Sequence, residues 1–305
     1  MDKKHLILDQ GYSSAKAKYN NQLHKFPTAI AFAIDLGIAY GEEEVYDFQG
    51  QKYYVGEEAV SSEAFSTNDY AFKSKHDTLL LFSILKRLDL IDDALNKNLK
   101  LTLSLSLADW KNKDDYLEIF KEFTVNGITL GFDDIVLMPQ GAGTYINFVK
   151  NQNNGEHPST AVIIDIGAVT IGTLMYENGK PQRAHSKGFP GHGVMVSIIQ
   201  PFTAYLETSF NMPFSNAEAM VVFTRGSFTF NGIPQPQITE KIAELKQQFA
   251  HKLFNSVLTS EKKILATSEH VIFAGGGCYL LEGIKFAPNA TFIGKPYEFS
   301  NISAL

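Results

Sequence analysis

The sequence has 305 residues, 44% hydrophobic and 20% charged, a composition that buries a core unaided and excludes the low-hydrophobicity, high-charge class that stays disordered. Lys and Arg total 27 against 33 Asp and Glu, a net charge of −6, so no overall basic field is available to grip a polyanion and direct nucleic-acid binding is not expected. The single cysteine, Cys278, excludes an internal disulfide or a Cys-x-x-Cys zinc site and points to a reducing compartment. Leu6-Ile7-Leu8 is too short for a signal-peptide core, and the longest apolar stretches, around residues 79–85 and 28–34, fall well short of the ~20 residues of a membrane span. A cytoplasmic protein without a membrane partner is therefore expected.

In chain order, residues 6–9 predict a short buried strand, and after Gly11-Tyr12-Ser13-Ser14 residues 15–19 predict its hairpin partner. Strand-like pattern continues over 29–34, 44–48 and 52–55, the last two flanking the turn Gln49-Gly50-Gln51. Residues 78–88 have dense helical apolar spacing, 100–107 alternate Leu with Thr or Ser, and 116–123 return to a helix. A strand over 135–138 and a helix over 140–150 follow. The polar, turn-rich run Asn151-Gln152-Asn153-Asn154-Gly155-Glu156-His157-Pro158-Ser159-Thr160 marks a boundary. The expected domains are 1–158, with a small β-rich subdomain at about 26–76, and 159–305, with a helical subdomain at about 190–258 and last residues that return to the first domain. In the second half, 161–165, 170–176 and 182–187 predict strands. Ile238, Ile242, Leu245, Phe249, Leu253 and Val257 step by three or four, as a long amphipathic helix does. A strand over 270–274 runs into Gly275-Gly276-Gly277 and a helix-like 278–281.

One pattern occurs twice. Ile7-Leu8-Asp9-Gln10-Gly11 and Ile163-Ile164-Asp165-Ile166-Gly167 share the form apolar, apolar, Asp, any, Gly, half a chain apart, which suggests a duplicated supersecondary unit. A Gly turn lets backbone N–H groups converge on phosphate oxygens. Ser13, Ser14 and Thr170 add hydroxyl donors, and Lys16 is placed to neutralise phosphate charge. Asp9 and Asp165 are candidate carboxylates for a hydrated Mg²⁺, an ion that keeps waters and prefers few carboxylates plus phosphate. Either Asp-x-Gly taken alone is equally an ordinary strand-to-turn transition closed by an Asx turn. No Gly-x-x-x-x-Gly-Lys-[Ser/Thr] loop and no complete Gly-x-Gly-x-x-Gly fingerprint is present.

The motifs Asp9-Gln10-Gly11-Tyr12-Ser13-Ser14-Ala15-Lys16, Met138-Pro139-Gln140-Gly141-Ala142-Gly143, Ile164-Asp165-Ile166-Gly167-Ala168-Val169-Thr170 and Phe273-Ala274-Gly275-Gly276-Gly277 resemble, in this order, the first phosphate, connecting, second phosphate and adenosine motifs of the actin and sugar-kinase ATPase superfamily. Within it, Leu103-Ser104-Leu105-Ser106-Leu107-Ala108-Asp109-Trp110, Tyr53-Tyr54-Val55-Gly56-Glu57-Glu58-Ala59 and Pro296-Tyr297-Glu298-Phe299-Ser300-Asn301 look like the ParM/StbA plasmid-segregation actins. The resemblance implies a duplicated α/β, ribonuclease H-like fold with two domains around a nucleotide cleft. It implies ATP or GTP bound with Mg²⁺, filaments that assemble with nucleotide and disassemble after hydrolysis, and a DNA-binding adaptor as partner.

By the same resemblance, Asp9 and Asp165 lie near the magnesium. Gly11, Tyr12, Ser13, Ser14 and Lys16 contact phosphates from one side, and Gly167, Ala168, Val169 and Thr170 from the other. Gly275, Gly276 and Gly277 let the backbone pass the adenosine, and Gln140 orients the attacking water. Departures from the family pattern are Ala168 and Val169 in place of a Gly and a Thr, Gly172 where Asp is common, and the bulky Tyr12 after Gly11. The rival readings are a small-metabolite kinase and a cell-shape or division scaffold on the same fold. Gln140 separates the first of these, since an amide cannot accept a substrate hydroxyl proton as a carboxylate does. Gly191-His192-Gly193 resembles a motif of some sugar kinases, but those carry a cysteine zinc cluster that this chain cannot build.

Overall fold

A computed structural model describes residues 3–33, 44–60 and 70–305. They fall into two compact units, Met1–Glu156 with Glu298–Leu305, and His157–Tyr297.

In the first unit β1 (Lys4–Gln10) sends Leu6, Ile7 and Leu8 into the core. It turns through Gly11-Tyr12-Ser13 into β2 (Ser14–Tyr19), and β2 continues into β3 (Gln22–Pro27). Asn20 and Asn21, both at positive φ, make the two-residue turn whose twist suits a hairpin. A small sheet of β4 (Ile30–Phe32), β5 (Val45–Phe48) and β6 (Gln51–Val55), in the order β4-β6-β5, is followed by the short α1 (Glu57–Val60). Next comes α2 (Tyr70–Arg87), which over Leu79–Leu85 is apolar but for Ser83 and is buried all round. The stretch expected to be β-rich up to residue 76 is thus helical from Tyr70, and 34–43 and 61–69 lie outside the described residues.

After α3 (Ile91–Leu95), β7 (Leu99–Leu105) runs parallel to β1. The helix expected over 116–123 is displaced: α4 is Lys113–Glu118, and Phe123 opens β8 (Phe123–Val125), paired with β9 (Ile128–Leu130). Asn126 and Gly127 at positive φ form the turn, and Thr124 and Thr129 hydrogen-bond across it at 2.8 Å. The Asn-Gly signal between β-branched residues outweighs the helical spacing around it. Then β10 (Ile135–Pro139) pairs parallel with β7, and α5 (Ala142–Gln152) follows.

The second unit opens with β11 (Thr160–Ile166), its antiparallel partner β12 (Thr170–Glu177), β13 (Lys180–Pro181) and β14 (Lys187–Pro190). The strand expected over 182–187 is instead a turn between the last two, because the Ser186 hydroxyl accepts from the Met175 amide at 3.1 Å and donates to the Gln182 carbonyl at 2.8 Å, replacing a strand rung. A wide helical turn at Met195–Ile199 leads into α6 (Gln200–Phe210). The next helix, α7 (Asn216–Arg225), begins with a reciprocal Ser215–Glu218 capping box and ends at Gly226 in the left-handed region. After the tiny hairpin β15 (Thr229–Phe230) and β16 (Ile233–Pro234), α8 (Gln237–Lys252) buries Ile238, Ile242, Leu245 and Phe249, and Leu253 and Val257 extend the stripe. Then come α9 (Lys262–Thr267), β17 (His270–Ala274), a short 3-10 helix at Gly276–Leu280 in the place of the helix-like segment expected over 278–281, and β18 (Ala290–Phe292). The chain ends with α10 (Ser300–Ser303), part of the first unit.

The two main sheets have one plan. In the order β3-β2-β1-β7-β10, β1 has antiparallel strands on one side and parallel strands on the other; in β13-β12-β11-β17-β18, β11 has the same surroundings, with β14 also on β12. The repeated Asp-x-Gly therefore sits at the end of the central strand in both sheets.

Candidate functional site

Alternation along β1 sends Asp9 and Gln10 to opposite faces. Asp9 is only 3% exposed, and a buried carboxylate has to be paired. Cross-strand register supplies the partners: Lys16 on β2 and Ser104 on β7 stand directly opposite Asp9. Ser104 Oγ donates to Asp9 Oδ1 at 2.5 Å, and Gln140 Nε2, just beyond β10, donates to the same oxygen at 2.9 Å. Lys16 Nζ lies 4.0 Å from Oδ2. A carboxylate only accepts, so the amide end that faces it must be the NH₂ group, which turns the Gln140 carbonyl oxygen outward.

The first turn is closed by Gly11 N donating to Asp9 O at 3.1 Å. A Cβ on Gly11 would come within 2.9 Å of Lys16 Nζ, so the ammonium lies over the glycine. The carbonyls of Tyr12 and Ser13 accept from Thr28, through its hydroxyl at 3.0 Å and its amide at 3.4 Å. In a trans peptide the following N–H points the opposite way, which directs the amides of Ser13 and Ser14 away from Thr28. Ser13 is exposed and the Ser14 side chain is buried. Tyr12, expected to bring its ring toward phosphates, donates its hydroxyl to Asp109 Oδ2 at 3.0 Å. Burial holds the Asp109 carboxyl above the ordinary carboxylate range.

On the other face, Gln10 Nε2 donates to the Asp77 carbonyl at 2.9 Å, and Tyr116 and Lys73 both reach Asp77 Oδ2, at 2.7 and 2.8 Å. Burial pushes the Asp77 carboxyl up. This network fastens the end of β1 to α2.

In the second unit Asp165 is 9% exposed at the end of β11, beside Gly172 on β12 and Ala274 on β17. The turn Gly167-Ala168-Val169-Thr170 is closed by Gly167 N donating to Thr170 O at 2.9 Å. Its three leading carbonyls accept from one segment: Val194 N bonds Gly167 O at 3.0 Å, Met195 N bonds Ala168 O at 2.7 Å, and Gly193 N bonds Val169 O at 3.0 Å. The amides of Ala168, Val169 and Thr170 are thereby aimed to the opposite side, the arrangement of an anion nest.

The glycine run after β17 has a reason inside the unit. Gly275 has φ 85 and ψ 164, and a Cβ there would fall 2.6 Å from Ile166 O and nearer still to Asp165 Oδ1. A Cβ on Gly277 would fall 2.9 Å from Val194 Cγ1. Both are buried and only Gly276 is exposed. Two of the three glycines expected to make room for adenosine are also required inside the unit, where they make room for β11 and Val194.

Each unit thus gathers its own candidates: Asp9, Gly11, Tyr12, Ser13, Ser14, Lys16 and Gln140 in the first, Asp165, Gly167, Ala168, Val169, Thr170 and Gly275–Gly277 in the second. Ser104 and Asp109 were not identifiable from the sequence, because only long-range pairing brings them to the Asp9 hairpin. Gly193, in a motif set aside above, packs on the second turn: its Cβ would lie 2.5 Å from Ala168 C and Val169 N.

Two family descriptions match the two halves of the sequence: actin like proteins N terminal domain over residues 8–143, and archaeal actin homologue MreB-like, C-terminal, over residues 163–284. The chain is an actin-like protein. Solved structures with the same fold include a 15-stranded ParM filament from Clostridium botulinum, 19% identical over 100% of this chain and 98% of that one, with a TM-score of 0.79. An archaeal actin homologue in complex with ADP is 20% identical over 99% and 97%, TM-score 0.73. Bacillus thuringiensis ParM with ATP is 16% identical over 100% and 96%, TM-score 0.65. No curated protein matches the sequence. Among the described residues of this actin-like chain no helix is long and apolar enough to cross a membrane, and no cluster of three or more His, Cys, Asp or Glu could hold a metal.

Proposed function

We propose that the protein is an ATPase that forms nucleotide-dependent filaments and serves plasmid or replicon segregation through a DNA-binding adaptor. The observation that carries this reading is the Gln140 amide held on the buried Asp9 carboxylate at 2.9 Å. Pinned at its NH₂ end, Gln140 offers a carbonyl oxygen that can accept a proton of a water and so aim it. It offers no base for a substrate hydroxyl, which favours hydrolysis over transfer to a metabolite.

The two turns, with outward amides at Ser13 and Ser14 and at Ala168, Val169 and Thr170, are the phosphate-binding elements of this reading. Lys16 would supply positive charge, and Asp9 and Asp165 are the carboxylates that would hold magnesium through its waters. A magnesium ion bound there would neutralise phosphate charge, and as an ion that keeps waters and prefers few carboxylates it suits this donor set. Filament assembly is supported by the whole-chain likeness to a protein solved as a ParM filament, and nucleotide binding by likenesses to chains solved with ADP and ATP.

The test is electron microscopy and pelleting of the purified protein with and without ATP and magnesium, alongside phosphate release. Filaments and pellet that follow nucleotide state are expected. A protein that stays monomeric and phosphorylates sugars, or that binds no nucleotide, refutes the reading.

A further inference from the structure

The helix that follows Gln140 begins in an unusual way. Its N-cap, Gly141, has φ 96 and carries no side chain to cap the first amides of α5. The cap comes from the chain's last turn. Asn301 Oδ1 accepts from Gly141 N at 2.6 Å and lies 3.2 Å from Thr144 Oγ1, which also bonds Ser300 Oγ at 2.9 Å. Asn301 is 5% exposed. A Cβ at Gly143 would lie 2.6 Å from Asn301 C, so the two backbones touch. Further along the same stripe of α5, Asn147 Nδ2 donates to Ser303 Oγ at 2.9 Å and Lys150 Nζ to Ala304 O at 2.8 Å; from β2, Lys18 Nζ reaches Ser303 O and Leu305 O.

The amide that Asn301 holds belongs to the Gln140–Gly141 peptide. The preceding amide, Gln140 N, is held by Leu105 O at 2.9 Å. The backbone of Gln140 is therefore fixed on both sides of its Cα, by β7 before it and by Asn301 after it, and the direction in which its side chain leaves follows from those two anchors. We propose that Asn301 is a positioning residue for Gln140, setting the angle at which the Gln140 amide presents its carbonyl to the attacking water. The inference rests on the hydrolytic reading above. It predicts a residue that touches no nucleotide yet governs the hydrolysis step, because small displacements of a positioned group are costly to rate.

The experiment uses the full chain and compares wild type, Gln140→Ala, Asn301→Ala, Asn301→Asp and the double Gln140→Ala/Asn301→Ala. It measures phosphate release at saturating Mg-ATP and affinity for a fluorescent ATP analogue. Asn301→Ala is expected to slow release by about 10- to 100-fold with affinity within about twofold of wild type. Asn301→Asp keeps an acceptor oxygen at a helix N-terminus that favours negative charge and is expected to release phosphate within about threefold of wild type. The double variant should be no slower than Gln140→Ala, since removing the positioned group removes the reason to position it.

A folded Asn301→Ala with wild-type release overturns the proposal, as does an equal loss of rate and affinity, a folded Asn301→Asp as slow as Asn301→Ala, or a double variant slower by the product of the two. If Asn301→Ala does not fold, Asn301→Ser, whose shorter side chain withdraws the acceptor from Gly141, takes its place under the same criteria. Failure of the underlying reading is separable: wild type that does not hydrolyse ATP, or Gln140→Ala as fast as wild type, defeats hydrolysis through Gln140 itself, whereas an active wild type, a slow Gln140→Ala and a normal Asn301→Ala defeat only the role of Asn301.

Discussion

Gly275→Ala puts a methyl group where the second unit has no room for one. The backbone at φ 85 and ψ 164 is nearly forbidden to any residue but glycine, a strain of about 1–3 kcal/mol. The new Cβ would also stand 2.6 Å from Ile166 O and against the Asp165 carboxylate; overpacking of this kind destabilises by about 1–3 kcal/mol. Together these are about 2–6 kcal/mol, and at about 2–4 °C per kcal/mol for a unit of this size the melting temperature should fall by roughly 4–24 °C. Differential scanning calorimetry of the ligand-free protein measures this, with Gly276→Ala as control because Gly276 is exposed. A Gly275→Ala midpoint within about 1 °C of wild type, or an equal drop for Gly276→Ala, would refute the argument that packing on β11 dictates glycine at 275.

Gln140→Ala should leave nucleotide affinity unchanged and slow phosphate release by about 100-fold, prolonging filament lifetime in time-resolved light scattering; unchanged turnover removes its role. Lys16→Ala, which withdraws the cation lying over Gly11, should weaken ATP binding by about 10- to 100-fold, the range of a hydrogen bond to a charged group, and an unaltered calorimetric affinity would count against the first turn as a phosphate site. Burial raises the Asp109 carboxyl, so its favourable contribution is fully present below the ordinary carboxylate value and is lost as pH rises through the raised one. Asp109→Asn, neutral throughout, should therefore be more stable than wild type near about pH 8 and lose that advantage toward about pH 4. A stability difference that does not vary with pH would show that burial of the charge is not what sets it.

Much of the architecture could be read before the structure. The central strands carry their Asp-x-Gly ends in plain sight, and the step pattern from Ile238 to Val257 is the buried stripe of α8 and the turn after it. The misread segments share a cause in local turn chemistry: Asn126-Gly127, just after 116–123, prevails over the apolar periodicity there, and the Ser186 hydroxyl takes the place of a strand rung in 182–187. The candidate residues were legible as motifs, but their partners were not. Ser104, Asp109 and Asn301 reach the Asp9 and Gln140 region across 95 to 160 positions of chain, and no spacing rule spans such gaps. The reason for the glycines at 275 and 277 was equally hidden, since it lies in strand packing.

The second turn holds its shape by lending three carbonyls to Gly193, Val194 and Met195, so its donors are main-chain groups that every residue but proline carries. Side chains at 168 and 169 can drift without erasing a single one of them, which is how this chain can show Ala and Val there. The glycine at 193 permits the latch, since a Cβ there would stand 2.5 Å from Ala168 C and Val169 N. A lineage built this way can lose most of its spelling while its grammar endures, consistent with 19% identity at a TM-score of 0.79.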